Sequence, residues 1–396
     1  MTFSFDQVIN RVGSYCTQWD YIEDRFGEKD LLPFSISDTD FKCPENMLQA
    51  LHKRLKHGIF GYTRWNHDDF KGAIAAWYSE RFLTEIEKKW IVYSPTVIYT
   101  ISKMIELLTD EGDYVITQTP AYDAFFKVVK DNKRILSANK LKQHNGKYEI
   151  DFEDLEEKLS HAKAKVLLLC SPHNPTGRVW TKQELELVMA LCKKHKVFII
   201  SDEIHMDIVR KPYHHIPILN GGQDLENICI CTSASKTFNT PGLGGSYALI
   251  PNLRLREKFL LTLKNKDGLS SASTLGALGI MTGYNECASW VDELNGYIEG
   301  NMIVIKEYLE EYLPQASFHI PEATYLAWID MTNFSYTNEK LQEALVHHGK
   351  VAIMSGETYG EGGKGYLRMN VGCPRSKVIE GLKRLRNTIE YLESRS

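Results

Sequence analysis

Lys236 stands in "SASKTFNTPGLGG", directly after "NICICT", a run of strand-forming residues. A surface lysine needs no such neighbours. An amine that must form a covalent bond beside a bound anion does. Three further polar segments also follow apolar runs: "SPTV" (94–97) after "WIVY", "SPHNPTG" (171–177) after "KVLLLC", and "SDEIH" (201–205) after "VFII". Taken singly, each has a plain reading. Asn-Pro and Thr-Gly form turns, Asp202 caps a helix, and Lys236 is a solvated side chain. Taken together, Asn174, Asp202 and Lys236 each come just after a strand, where ligands of open α/β sheets bind. The chemistry that fits is pyridoxal phosphate (PLP). Lys236 supplies the amine for an imine with the aldehyde. Asp202 faces the pyridine nitrogen, and Asn174 hydrogen-bonds the ring oxygen. Ser233, Ser235 and the helix start at Thr96 and Val97 offer hydroxyls and N–H groups to the phosphate. Tyr122, in "PAYDAF", is placed to stack on the ring, although its pattern alone suits a core tyrosine equally.

The elements needed to position these residues are legible between about 90 and 250. Val97, Ile101, Met104, Ile105 and Leu108 recur at helical spacing after "WIVY". "DYVIT" leads into the helical "AYDAFFKVVK", and Thr181 with Glu184 makes a capping box after "KVLLLC". "VFIIS", "ICICT" and "SYALI" read as buried strands. This is the α/β pattern of a large domain with a mostly parallel sheet flanked by helices. "ENMLQALHKRLKHG" is a helix running from Pro44 to Gly58. Beyond about 285 the texture changes to a long helix, the strands "SFHI", "YLAWIDM" and "YLRMNV", and a closing helix, which together form a smaller α+β domain. The expected division is 1–45 as an arm with part of the small domain, 46–284 as the cofactor-binding domain, and 285–396 as the small domain.

A chain of 396 residues with 43% hydrophobic content supports a large core, and its net charge of −4 argues against nucleic acid as a partner. The N-terminal stretch has no signal-peptide core, and no apolar run is long enough to cross a membrane. Cys229 and Cys231 alternate with Ile on one strand face and are expected to be reduced core cysteines of a cytoplasmic protein, with no metal. His214 and His215 are expected to be loop residues near the surface.

The segments "FSISDTDF", "FGYTRW", "SPTVIY", "TPAYDAFF", "SPHNPTGRVW", "SDEIHMDI", "SKTFN", "DGLSS", "YLAWID", "VAIMSGETYG" and "LRMNVGCPRS" resemble fold-type-I PLP enzymes, the aspartate aminotransferase superfamily. They are most similar to its MalY/PatB branch of cystathionine β-lyases (C–S lyases). The resemblance implies that Lys236 is the Schiff-base lysine and a catalytic group, Asp202 the pyridinium partner, Asn174 the ring-oxygen ligand and Tyr122 the stacking aromatic. It implies that Arg368 clamps the substrate α-carboxylate. Alternation in "YLRMNV" independently puts Arg368 opposite Leu367, Met369 and Val371, on a face expected to be open. Tyr62 is implied to reach the cofactor phosphate of a second subunit, so the chain is expected to be a homodimer with shared sites. Two departures from the aminotransferase pattern, Gly244 in place of a basic residue and His205 in place of a tyrosine, occur in the lyase branch. His205 is expected to support the cofactor loop. The implied activity is α,β-elimination of cystathionine or related S-substituted cysteines to thiol, pyruvate and ammonia. The alternatives are an aminotransferase and a regulatory binding protein of MalY type with a protein partner.

Overall fold

The computed structural model describes residues 3–144 and 146–395. Its centre is a seven-stranded sheet: β1 (Ile91–Ser94), β2 (Tyr114–Thr119), β3 (Ile135–Lys140), β4 (Ala164–Cys170), β5 (Phe198–Asp202), β6 (Ile228–Thr232) and β7 (Ser246–Leu249). Their spatial order is β1-β7-β6-β5-β4-β2-β3. Only β7 is antiparallel to its neighbours. The carboxyl ends of β1, β4, β5 and β6 therefore share one edge. β5 and β6 are buried at every position, and β4 at all but Lys165. That is why they read as continuous apolar runs without alternation: both faces of a parallel sheet are covered. Each fully buried Leu, Ile or Val contributes roughly 1.5–3 kcal/mol.

The helices that aim the site begin where expected. Helix Val97–Leu108 starts at Thr96, whose hydroxyl accepts from the Tyr99 N–H at 3.1 Å. It buries Val97, Ile101, Met104 and Ile105 against the sheet. Helix Lys182–His195 carries the full capping box of Thr181 and Glu184. Helix Glu45–His57 ends at Gly58 with φ +77°, a left-handed conformation that glycine adopts without strain. Helix Asp68–Phe82 lacks an apolar stripe that marks it in sequence, and it packs on helix Thr274–Glu286.

A second, antiparallel sheet contains β8 (Leu326–Asp330), β9 (Met354–Ser355) and β10 (Tyr366–Asn370), with β10 central. Helices Ala288–Tyr312, Asn338–His347 and Arg375–Glu393 accompany it. Two expectations need correction. "SFHI" is not a strand: Ser317 alone bridges to Asp330, and Ile320 is partly exposed, so its alternation matches no buried face. The face of β10 that carries Arg368 is not open, because all five of the strand's residues are buried. The first thirty residues include a short helix, Ile22–Phe26, and just beyond them Leu32–Pro33 pairs in parallel with Val351–Ala352.

Candidate active site

A cavity of about 200 Å³ opens at the shared strand edge. The connections after β1, β2, β4, β5 and β6 contribute to it. Thr96 and Val97 come from the end of β1, Asn174 from β4, Asp202 and His205 from β5, and Ser233, Ser235 and Lys236 from β6, while Tyr122 follows β2. Of the site residues singled out in the sequence, only Tyr62 and Arg368 do not line it, and Arg368 lies behind its wall, bonded to Asn174.

The electrostatics are unusual in what is missing. Asp202 is buried, and its carboxylate accepts only from the Ile204 N–H, at 3.1 Å. No cation pairs with it among the described residues. Burial pushes its carboxyl up to about 7, against the lowering effects of the Ile204 N–H and Lys236. The Lys236 amine donates to the Ser37 carbonyl. Burial pushes it down to about 8; Asp38 and Asp202 oppose that shift and Arg368 adds to it. Arg368 is buried and has no carboxylate partner among the described residues. Its guanidinium donates to the Ser35 carbonyl at 2.7 Å and to Asn174 Oδ1 at 3.2 Å, and it lies 4.6 Å from the centre of the Tyr359 ring. Its Nε has no partner among the described residues. Because Arg368 takes Asn174 Oδ1, the amide NH2 of Asn174 is the group left to donate.

His205 packs edge-on to Tyr325, with centroids 6.0 Å apart. Burial presses its imidazole down to about 3, with Lys236 and Arg368 adding to the effect, so it stays neutral. Ser233 lines the cavity, but its hydroxyl donates to the Gly245 carbonyl at 2.9 Å and accepts from the Ser235 N–H at 3.1 Å. It shapes the turn, and the Ser235 hydroxyl is the freer donor. Gly244 adopts φ +69°, and a Cβ on the facing Gly276 would lie 1.9 Å from the Gly244 carbonyl. Two glycines therefore let helix Thr274–Glu286 abut this loop. Tyr62 is fully exposed and does not reach the cavity of its own chain.

Two sets of residues went unread. Ser35 and Ser37 act through backbone carbonyls, which leave no mark in side-chain chemistry; Tyr325 joins them by donating to the Ser37 carbonyl at 3.0 Å. His215 was expected in a surface loop, yet it is buried and its Nε2 lies 2.9 Å from Glu203 Oε2. Glu203 needs a partner because it too is buried, at the end of β5. The neighbouring His214 points outward, as adjacent extended residues should. Cys229 and Cys231 do share a strand face, with sulfurs 3.9 Å apart.

This fold and this strand-end site place the chain in a known class: it belongs to the aminotransferase class I and II family, which matches residues 29–385. It is 44% identical over 387 residues to protein MalY of Escherichia coli K12, covering 98% of this chain and 99% of that protein. It is 36% identical over 384 residues to cystathionine β-lyase PatB of Bacillus subtilis 168, covering 97% and 99% respectively. Among solved structures, cystalysin from Treponema denticola, which contains a pyridoxal 5'-phosphate cofactor, superposes with a TM-score of 0.94 at 31% identity, covering 99% of this chain and all of that one.

Proposed function

We propose that this chain is a PLP-dependent carbon–sulfur β-lyase of the cystathionine β-lyase type. The observation that carries the reading is a set of three charges that lack ionic partners among the described residues: buried Asp202 and partly buried Lys236 on the cavity wall, and buried Arg368 behind it, hydrogen-bonded to the cavity residue Asn174. A buried charge without a partner is costly unless a ligand completes it. With PLP bound, Asp202 would face a pyridinium N–H, Lys236 would offer its amine to the aldehyde, and Arg368 would receive the substrate's α-carboxylate. The remaining groups fit the same cofactor. The Asn174 NH2 suits the ring oxygen. The start of helix Val97–Leu108, with Thr96 and Ser235, suits the phosphate. Tyr122 suits the ring face.

When bound, PLP supplies an electrophilic carbon and a ring that takes up the electron pair left on Cα. The chain's residues do the rest. Arg368 holds the α-carboxylate through its planar fork and so fixes the Cα–H bond. Lys236, once free, takes the Cα proton on Nζ, and its depressed pKa suits it to do so near neutrality. Asp202 keeps the ring nitrogen protonated. The C–S bond then breaks and the sulfur leaves as a thiol. The three-carbon remainder yields pyruvate and ammonia with water. His205 and Gly244, the two features that the sequence resemblance ties to the lyase branch, both line the cavity.

Tyr62 sits in an exposed run with Ile59 and Phe60. That apolar run supports a homodimer in which Tyr62 reaches the partner's cofactor. The pairing of Leu32–Pro33 with Val351–Ala352 supports counting residues 1–45 partly with the smaller domain, beside domains at 46–284 and 285–396. The deciding experiment scores pyruvate and free thiol from purified holoenzyme with cystathionine and S-alkylcysteines. A protein that instead needs a keto acid for every turnover is an aminotransferase on the same scaffold.

A further inference from the structure

Beside the catalytic cavity lies a second, larger cleft of about 780 Å³. The two are neighbours along two stretches of chain. Ser37 and Tyr122 line the first, while Ser35, Ile36 and Asp123 line the second. The second cleft carries charges of both signs. Exposed Arg25 projects from the short helix Ile22–Phe26, Lys127 pairs with Asp123 at 2.9 Å, and Asp24 and Glu343 supply further carboxylates.

Arg25 is distinctive. Lys29 on the same segment pairs with Glu23, but Arg25 has no carboxylate partner among the described residues. Among the described residues its guanidinium hydrogen-bonds only the thioether of Met354, at 3.7 Å. Met354 is the cross-strand partner of Arg368. Two arginines without carboxylates thus flank one methionine, one buried at the reaction centre and one in the adjoining cleft.

Resting on the lyase reading above, we propose that this cleft is a leaving-group subsite for a zwitterionic amino acid. Arg25 takes the distal carboxylate, and Asp24 and Glu343 supply the field for the distal ammonium. The chemistry fits a thioether that joins two amino acids, of which cystathionine is the test case. One amino-acid end is held by Arg368; the other departs with the sulfur and lies in the cleft until release. A plain alkyl thiol makes no use of either charge. Arg25 is thereby a specificity-determining residue and takes no part in bond breaking.

The test compares wild-type holoenzyme on cystathionine, S-(3-carboxypropyl)cysteine and S-butylcysteine, which lose the distal charges stepwise. The expected order of kcat/KM falls along that series, with about tenfold between the ends, the scale of one charge-assisted hydrogen bond in a solvated cleft. Arg25→Gln should compress the ratio of cystathionine to S-butylcysteine by about that factor, mainly through KM, and Arg25→Lys should restore part of it. If wild type handles S-butylcysteine as well as cystathionine, or if Arg25→Gln leaves the ratio within about twofold, the subsite is overturned although the lyase stands. If none of the thioethers yields pyruvate, the lyase reading fails and the subsite falls with it.

Discussion

Asp202 and Glu203 are consecutive acids, both buried, at the end of the same strand, yet their surroundings are opposite. Glu203 is fully answered within the chain. Ser201 Oγ donates to it at 2.9 Å, the Ile218 N–H at 3.0 Å, and His215 Nε2 lies at 2.9 Å. Asp202 receives one backbone N–H and faces a cavity. A similar division runs through Thr237 and Lys236. The Thr237 hydroxyl donates to Asp207 at 2.6 Å, and Asp207 also accepts from the Trp77 indole at 2.9 Å. Lys236, one residue earlier, has a single carbonyl. On one side of the strand ends, polar groups are satisfied and hold the loops in place. On the other they are left incomplete, and incompleteness in a buried site is what a ligand can repair.

The largest effect should come from the incomplete side. Lys236→Ala removes the proton acceptor and the covalent anchor together, so elimination should fall by about a thousandfold or more while the fold persists. Pyruvate assays beside a thermal melt test this; substantial residual turnover would place the base elsewhere. On the satisfied side the signs reverse. Glu203→Ala leaves His215 and two donors buried without an acceptor, and should destabilise the fold by roughly 3–5 kcal/mol. The protein that remains folded should still bind PLP, as its absorbance would report. If Glu203→Ala melted like wild type, the two acids would not differ in the way described.

Asp202→Asn sharpens the contrast by separating function from stability. Its folded pKa of about 7 lies above the ordinary carboxylate value. In the cofactor-free protein the folded state therefore holds more protons than the unfolded state across that interval, and this group's contribution to stability declines as pH rises through it. Above pH 7 the neutral amide should raise the melting temperature of the cofactor-free protein, on the order of a few degrees. In holoenzyme it should lower kcat by about a hundredfold. A cofactor-free variant less stable than wild type at pH 8 would show that the carboxylate is already compensated.

The same division explains what could be read from sequence. Asn174, Asp202 and Lys236 were legible because Asp202 ends, and Asn174 and Lys236 closely follow, a strand that the sheet buries at almost every position, so apolar runs mark the address. Helix Val97–Leu108 was legible because its cap and its stripe agree. Arg368 was found by alternation but placed on the wrong kind of face: period two separates the faces of a strand without saying whether either meets solvent. The Glu203–His215 pair was hidden because their contact spans a loop, and two adjacent histidines carry no sign of which turns inward. Ser35 and Ser37 were invisible because carbonyls belong to every residue.

The smallest effect is the most diagnostic of the cavity's field. The Lys236 amine should become nucleophilic near its depressed pKa of about 8, so the rate at which cofactor-free protein captures PLP should climb through that pH and then level. An ordinary lysine, with a pKa near 10.4, would keep accelerating for about two further pH units. Stopped-flow growth of the imine absorbance, divided by the rate of Nα-acetyl-lysine per free amine to cancel the titration of PLP itself, gives the profile. Two substitutions should move its midpoint in opposite directions. Asp202 favours the charged amine, so Asp202→Asn should lower the midpoint; Arg368 disfavours it, so Arg368→Gln should raise it. Each displacement should be less than about one pH unit, because burial, which neither substitution changes, is the larger cause. Displacement of both in the same direction would mean that the two variants alter the cavity's hydration, and that the charges facing Lys236 are not what tunes it.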